Sequence, residues 1–153
     1  KNQTLESNYI GCKNFLEGLK ILNLKSKFFN SSSSEIFSDT KKRITINSKK
    51  KPISPYGMAK LLSFNITKKF RNIDNLNAYN FVFFNSESIF REKNYLITKI
   101  CLAAIKAKNL DKKTDFGKLD IIREWNWCKE QCYLITKCLI KKPNDFIFST
   151  LYF

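Results

Sequence analysis

The sequence contains no histidine among its 153 residues, and its five cysteines do not form a C-x-x-C pair. Structural zinc sites are built mainly from histidine and closely spaced cysteine, and most nucleophilic hydrolases depend on a histidine base. We therefore expect no metal, and we interpret the cysteines as free thiols in a reducing cytoplasm. The cysteines are Cys12, Cys101, Cys128, Cys132 and Cys138.

Glycine is scarce, with only Gly11, Gly18, Gly57 and Gly117 in the chain. A loop that binds the pyrophosphate of a dinucleotide uses a G-x-G-x-x-G or similar pattern, because only glycine lets the backbone approach the phosphates. These four positions cannot form such a pattern. The first residue is Lys1 rather than methionine, so we interpret residues 1–153 as a single fragment of a longer protein.

Acidic residues are also few, with 13 Asp and Glu against 28 Lys and Arg and a net charge of +15. Such an excess is typical of proteins that bind nucleic acid or anionic membranes. Only four of the cations are arginines, however, and the lysines accompany many Asn, Ile and Phe residues, as an AT-biased coding sequence would produce. We therefore expect no nucleic-acid partner and keep a basic nucleic-acid-binding module as an alternative.

Long apolar runs are absent as well, since none approaches the ~20 residues of a membrane span, and we expect no membrane partner. The apolar pattern instead alternates between helical and extended periods. Helices are predicted over 5–24, 55–71, 95–108 and 125–140, and extended segments at 28–29, 77–84, 119–122 and 145–150. This order is typical of a parallel α/β sheet, in which ligands bind beyond the carboxyl ends of the strands. The polar segment 38–55 is predicted to be an exposed loop.

The first predicted helix is amphipathic, and we expect its apolar side chains to face the core. They are Ile10, Phe15, Leu16, Leu19, Leu22 and Leu24.

The stretch "SPYGMAK" places Tyr56 four residues before Lys60, the spacing of an acid/base pair on one helix face. A nearby ammonium lowers the pKa of a phenol, so such a tyrosine can accept a proton from a hydroxyl group. The same spacing occurs three more times, in Tyr9/Lys13, Tyr95/Lys99 and Tyr133/Lys137, and it carries no information alone. For those three pairs we favour a core-facing ring and a solvated lysine. Tyr56 differs because it follows a loop at a predicted helix start, where Pro55 fits the first turn.

The run "SSSSEIF" is the second candidate. Ser33 is predicted at the end of a strand, where its hydroxyl can bond to a substrate, and Glu35 is predicted on the same side of the chain. A carboxylate at that position can act as a general base or acid. A serine-rich turn with an exposed glutamate is the alternative interpretation.

Taken together, these motifs resemble the extended short-chain dehydrogenase/reductases that act on nucleotide sugars, and within them the GDP-mannose 4,6-dehydratase family. The matching stretches are "SSSSE" at 31–35, "SPYGMAK" at 54–60, "FNSESIFRE" at 84–92, "ITKI" at 97–100 and "REWN" at 123–126. The resemblance covers nearly the whole chain in one order. It implies a partial, Rossmann-like, doubly wound parallel sheet, comprising the central to C-terminal part of an NADP-binding domain and the start of a substrate-binding region.

The resemblance also implies roles for four residues. Ser33 matches a catalytic threonine of the family, Glu35 its catalytic glutamate, Tyr56 its catalytic tyrosine, and Lys60 a catalytic lysine that also binds the cofactor ribose. Tyr56 and Lys60 would thus contact NADP while removing a proton from a nucleotide sugar such as GDP-mannose. The whole enzyme is expected to be cytoplasmic and homo-oligomeric.

Further positions match ligand contacts of the family. Asn85, Lys99 and Arg123 correspond to contacts with the sugar nucleotide, and Arg91 corresponds to an NADP contact. Ser86 replaces a cofactor-contacting histidine of the family, so the loop 86–92 is a weaker match for NADP. A C4 epimerase of the same extended family is the nearest rival, but Glu35 argues against it because C4 epimerisation needs no base for C5.

Overall fold

The computed structural model describes residues 2–37, 43–110, 113–118, 120, 122–141 and 144–149. Its helices are α1 (Asn2–Leu5), a π-helical segment (Glu6–Ile10), α2 (Gly11–Ile21), a 3-10 turn (Ser34–Ile36), α3 (Pro55–Asp74), α4 (Leu96–Leu110) and α5 (Cys128–Ile140). Its strands are β1 (Phe28–Ser33), β2 (Ala78–Phe83), β3 (Asn85–Glu87), β4 (Trp125–Trp127) and β5 (Phe146–Phe148). No helix of this described part is long and apolar enough to cross a membrane.

Three parallel strands form the main sheet in the order β1-β2-β5. The predicted central strand is confirmed: β2 is buried along almost its whole length, as its run of apolar residues indicates for a strand covered on both faces. Because β1 and β2 are parallel and Ser33 pairs with Phe83, both strands end at the same edge. The polar segments after them therefore start side by side.

Helices cover both faces of the sheet. On one face, α2 and α3 pack on the strands through Cys12, Leu16, Phe70 and Ala78. On the other face, β2 and β5 contribute aromatic rings, one pair stacked and one edge-to-face, that pack against the Ile135, Cys138 and Leu139 side of α5. A parallel sheet with helices on both faces is the expected partial, Rossmann-like, doubly wound arrangement, and this prediction is confirmed.

Polar contacts inside the layers fix the strands relative to each other. The Asn30 side chain donates to the side chain of Asn80 at 2.9 Å, joining β1 to β2 behind α3. Arg71 and Asp145 form a two-pronged ion pair, and Asp145 also accepts from the backbone N–H of Asn80. This pair holds the start of β5 against β2 and raises the pKa of Arg71 through the hydrogen bond to Asp145.

Several element predictions were wrong in detail. The strand at Phe28 and Phe29 extends through three of the four serines and ends at Ser33, where a strand end was predicted, because its backbone pairs with β2 along that length. Residues 125–127 were predicted as helix but form β4, which pairs in parallel with β3. A pairing between segments so far apart in sequence leaves no local pattern, and β3 was missed for the same reason. Of the segment 119–122, Leu119 and Ile121 lie outside the described residues.

Burial also departs from the predictions. Of the predicted apolar face of the first helix, Leu16 is buried, whereas Phe15 is 70% and Leu22 is 67% exposed. The helix ends at Ile21, because Asn23 adopts the left-handed conformation. In the loop 38–55, residues 38–42 lie outside the described part, and Ile44 and Ile46 pack against the core instead of facing solvent.

Candidate active site at the end of the first strand

The end of β1 and the start of α3 bring four candidate side chains together. Ser33 is the last residue of β1 and caps the 3-10 turn, its hydroxyl accepting from the backbone N–H of Glu35 at 3.2 Å. This turn, rather than the alternation of an extended strand, places Glu35 beside Ser33. Tyr56 and Lys60 approach from the first two turns of α3.

Ser54 connects the two segments, and it was missed as a site residue. Its hydroxyl donates to a carboxylate oxygen of Glu35 at 2.6 Å and accepts from the backbone N–H of Gly57 at 2.9 Å. One side chain thus caps α3 and orients the carboxylate. The sequence signal was available, since serine immediately before proline at a helix start is a typical N-cap.

Tyr56 lies in a mixed electrostatic environment. Burial raises the pKa of its phenol, a hydrogen bond with the Ser33 side chain lowers it, and the negative charge of Glu35 raises it again. The net pKa shift is upward. The expected net lowering of the Tyr56 pKa is therefore wrong for this structure, and the Lys60 charge is not among the groups that shift it.

The direction of the Lys60 ammonium explains why the Tyr56 pKa differs from the expected one. Its ammonium donates to the backbone carbonyl of Ser31 at 2.8 Å and lies 5.6 Å from the centre of the Tyr56 ring. Burial lowers the pKa of Lys60 itself, because a charged amine loses hydration there. The lysine is near the tyrosine, as the spacing predicts, but its charge is directed toward the end of β1.

The other Tyr-x-x-x-Lys pairs lie elsewhere on the fold. Tyr95 is 43% and Tyr133 is 60% exposed, so the expectation of core-facing rings is wrong for these two pairs. Lys137 lies 4.5 Å from the centre of the Tyr133 ring. The pair Tyr133/Lys137 therefore has the same kind of ring–ammonium contact as Tyr56/Lys60, but it lies on α5 and not beside Glu35, which makes it a matched control.

The candidate ligand contacts form a second group around β3 and β4. Asn85 donates to the carbonyl of Glu124 at 2.9 Å, and Ser86 donates to the side chain of Gln131 at 2.6 Å. Asn85 follows Phe83 by two residues, which places the start of this group at the same sheet edge as Ser33. The buried residue Gln131 was not predicted from the sequence, because its contact with Ser86 depends on the β3-β4 pairing.

The three remaining candidate ligand contacts, Arg91, Lys99 and Arg123, each interact with residues close to them in the sequence or the fold. The Arg91 guanidinium lies 3.7 Å from the centre of the Tyr95 ring, and its Nε is 3.7 Å from a carboxylate oxygen of Glu87. Lys99 donates to the carbonyl of Asp115 at 2.9 Å. Arg123 is exposed and donates to the adjacent carbonyl of Ile122. The ligand roles of these residues stay predictions.

A family model described as GDP-mannose 4,6 dehydratase matches residues 2–152 of the chain. The chain belongs to the GDP-mannose 4,6-dehydratase family. Curated relatives with that name are 30% identical in Vibrio cholerae and 31% identical in Homo sapiens, each over 96% of this chain and 41% of the relative. The chain thus spans about two fifths of the length of these relatives.

Solved structures of extended short-chain enzymes share the fold. A dTDP-glucose 4,6-dehydratase from Bacillus anthracis in complex with NAD superposes with a TM-score of 0.85 at 22% identity, over 97% of this chain and 48% of that one. A UDP-N-acetylglucosamine 4-epimerase from Methanobrevibacter ruminantium superposes with a TM-score of 0.81 at 18% identity, over 94% and 47%. At these identities the likeness establishes the Rossmann-like fold that the sequence motifs predict.

Gly57 is the position in the candidate site where a larger side chain would clash with its neighbours. A Cβ on Gly57 would lie 2.5 Å from the backbone carbonyl oxygen of Glu35 and 3.0 Å from the Pro52 side chain. Backbone atoms cannot move aside cheaply, so α3 approaches the 3-10 turn this closely only with glycine. The close approach sets the distance between Tyr56 and Glu35.

We expect Gly57→Ala to destabilise the protein by about 1–3 kcal/mol, the usual cost of overpacking, and to displace the Glu35 segment. Gly18→Ala is the matched control, because Gly18 lies in α2 with no neighbour within 4 Å of the added Cβ. That control should stabilise the protein by about 0.5–1 kcal/mol through helix propensity. Urea unfolding of both variants provides the comparison, and equal effects of the two alanines would refute the close approach at Gly57.

Ser33 and Glu35 act on the pKa of Tyr56 in opposite directions, so substitutions of these two residues should shift that pKa with opposite signs. Ser33→Ala should raise the Tyr56 pKa, because it removes the hydrogen bond that favours the phenolate. Glu35→Gln should lower it, because it removes a nearby negative charge. Titration of ring-labelled tyrosine by NMR, with Tyr56→Phe to assign the signal, measures both shifts. Shifts in the same direction would contradict the described environment.

Proposed function

We propose that this chain supplies the proton-transfer residues of a nucleotide-sugar 4,6-dehydratase that acts on GDP-mannose. The observation that carries the proposal is the convergence of Tyr56, Ser33 and Glu35 at one strand end, with a hydrogen bond between Tyr56 and Ser33 and Glu35 oriented by Ser54. A reaction that only inverts C4 needs no carboxylate beside the tyrosine. The names of the 30% identical relatives support GDP-mannose as the substrate.

In the first step, Tyr56 removes the proton of the sugar C4 hydroxyl while C4 is oxidised. Ser33, which is bonded to the tyrosine, is placed to hold the same oxygen. Both the burial of Tyr56 and the charge of Glu35 oppose the phenolate, whereas the hydrogen bond with the Ser33 side chain favours it. Lys60 lies beside this pair, with its ammonium 5.6 Å from the centre of the Tyr56 ring, and is proposed to act there by binding the cofactor ribose.

In the second step, Glu35 removes the C5 proton, which the adjacent 4-keto group has made acidic. The same carboxyl group then delivers a proton to the departing C6 hydroxyl, so that water leaves. The hydrogen bond from Ser54 holds the carboxylate in one orientation for both transfers. Loss of water leaves a C5–C6 double bond, and return of hydride to C6 with a solvent-derived proton to C5 would give the 4-keto-6-deoxy sugar.

NADP is the proposed cofactor, and when bound it would accept hydrogen as hydride from C4 and return it to C6. The residues of this chain fit one end of the cofactor. Lys60 and Tyr56 would hold the ribose and nicotinamide end, with Ser86 and Arg91 as further contacts. None of the four glycines, all of which the structure describes, has a positive φ or belongs to a glycine-rich turn. The pyrophosphate cradle therefore has to come from chain other than residues 1–153.

Asn85, Lys99 and Arg123 are the proposed contacts for the nucleotide and its diphosphate. Lysine and arginine side chains bind phosphate oxygens through charge-assisted hydrogen bonds. Asn85 lies at the same edge of the sheet as the Tyr56 site, so a nucleotide sugar that extends from that site along β3 would reach Asn85. The whole enzyme is proposed to be cytoplasmic and homo-oligomeric, as the family resemblance implies.

The experiment places residues 2–152 into the Vibrio cholerae relative in place of its matched segment. We expect the chimera to convert GDP-mannose to a 4-keto-6-deoxy product and to act far less efficiently on dTDP-glucose. Comparison of kcat/KM for the two substrates tests the substrate class. A folded chimera that prefers dTDP-glucose, or that makes only a C4 epimer, would refute the proposal.

A further inference from the structure

Two thiols lie one helical turn apart at the start of α5. Cys128 and Cys132 are the first and fifth residues of that helix, a spacing that stacks their side chains on one face with Cβ atoms about 5–6 Å apart. Both thiols are free rather than disulfide-bonded. Cys132 is exposed and Cys128 is half-buried, so solvent reaches the pair.

The geometry points to a two-coordinate site for cuprous ion, with the Sγ atoms of Cys128 and Cys132 as its ligands. A tetrahedral zinc site needs about four ligands. Among the described residues no group of three or more His, Cys, Asp or Glu side chains could hold a metal. Two sulfurs without a third ligand instead match the cuprous ion, a soft ion that thiolates select and that can be bound by two ligands.

The charge at this turn favours the occupied state. On binding, each thiol loses a proton to solvent, two sulfur–copper bonds form, and copper stays Cu(I), so the site carries a net charge of −1. No side chain caps the N-terminus of α5, so its free N–H groups and the helix dipole face this new negative charge.

The site lies next to the proposed ligand contacts without being part of them. Gln131 sits between the two cysteines in sequence and accepts the hydrogen bond from Ser86. Occupation of the first turn of α5 by copper would therefore stiffen the segment that holds the β3 end of the proposed nucleotide-sugar site. The copper site depends only on the Cys128 and Cys132 thiols and does not require the proposed catalytic function.

The test uses the purified chain, reduced and kept anaerobic, titrated with Cu(I) against the chelator bathocuproine disulfonate. We expect one cuprous ion per chain to resist the chelator. Cys128→Ser and Cys132→Ser should each weaken binding by on the order of 10²-fold, because either change removes the chelating pair. Cys101→Ser is the matched control, since Cys101 is an exposed thiol on another helix, and it should bind copper as the parent chain does.

Equal binding in either of the two cysteine variants, equal loss in Cys101→Ser, or complete transfer of copper to the chelator would each overturn the site. Circular dichroism of every variant checks that α5 has formed. X-ray absorption of the copper-loaded parent chain gives an independent readout that needs no variant. It should show two sulfur ligands, and a third ligand or nitrogen and oxygen donors would contradict the assignment.

Discussion

Tyr56→Phe should abolish turnover in the chimera, with a loss of kcat on the order of 10²–10⁴ for a missing acid/base group. The substitution removes the phenol oxygen that takes the C4 proton and keeps the ring. Because this is the first chemical step, neither reduced cofactor nor 4-keto sugar should form, and C5 should not exchange with solvent. Absorbance of reduced cofactor at the start of the reaction measures this directly.

Tyr133→Phe is the control for that experiment. It removes the hydroxyl of another Tyr-x-x-x-Lys pair whose lysine lies 4.5 Å from the ring, and Tyr133 is exposed. Its activity should equal that of the parent chimera. If Tyr56→Phe retained more than a tenth of the activity, or if Tyr133→Phe lost as much, Tyr56 would not be the base for the C4 hydroxyl.

Glu35→Gln should fail at a later step, again with a loss of turnover on the order of 10²–10⁴. C4 can still be oxidised because Tyr56 is present, and the loss of the Glu35 charge even favours the phenolate. Without the carboxylate, no group removes the C5 proton or protonates the C6 hydroxyl. Reduced cofactor and 4-keto sugar should therefore accumulate on the enzyme while elimination stops.

Glu17→Gln serves as the control, since Glu17 forms an exposed ion pair with Lys13 on α2, away from the site. It should leave all steps unchanged. Exchange of the C5 proton at the parental rate in Glu35→Gln would rule out Glu35 as the C5 base, even if turnover were low. The contrast between Tyr56→Phe and Glu35→Gln thus separates oxidation from elimination.

The fold was predictable where the signals are local. The apolar run of β2 indicates a strand covered on both faces, and Pro55 marks the start of α3, because both patterns act within a few residues. The strand β4 was not predictable in this way. Its three residues become a strand only by pairing with β3, forty positions earlier, while the tryptophans and the helix that follows look continuous in the sequence.

The site shows the same division. Motif order was enough to select Ser33, Glu35, Tyr56 and Lys60, and the structure places them together. The sequence could not show the direction of the Lys60 ammonium, which depends on the carbonyl of Ser31 at the end of another element. For that reason the sign of the Tyr56 pKa shift was predicted wrongly. Spacing fixes which groups are near, whereas burial and hydrogen bonds decide their charge.

The most direct test of the central claim is the reaction of the chimera with GDP-mannose in D2O, with the product analysed by NMR. A dehydratase that uses Glu35 must break the C5–H bond, and the proton restored to C5 comes from the solvent pool. The account predicts a 4-keto-6-deoxy sugar with one solvent deuterium at C5. A product with an intact C6 hydroxyl and no deuterium at C5 would contradict it.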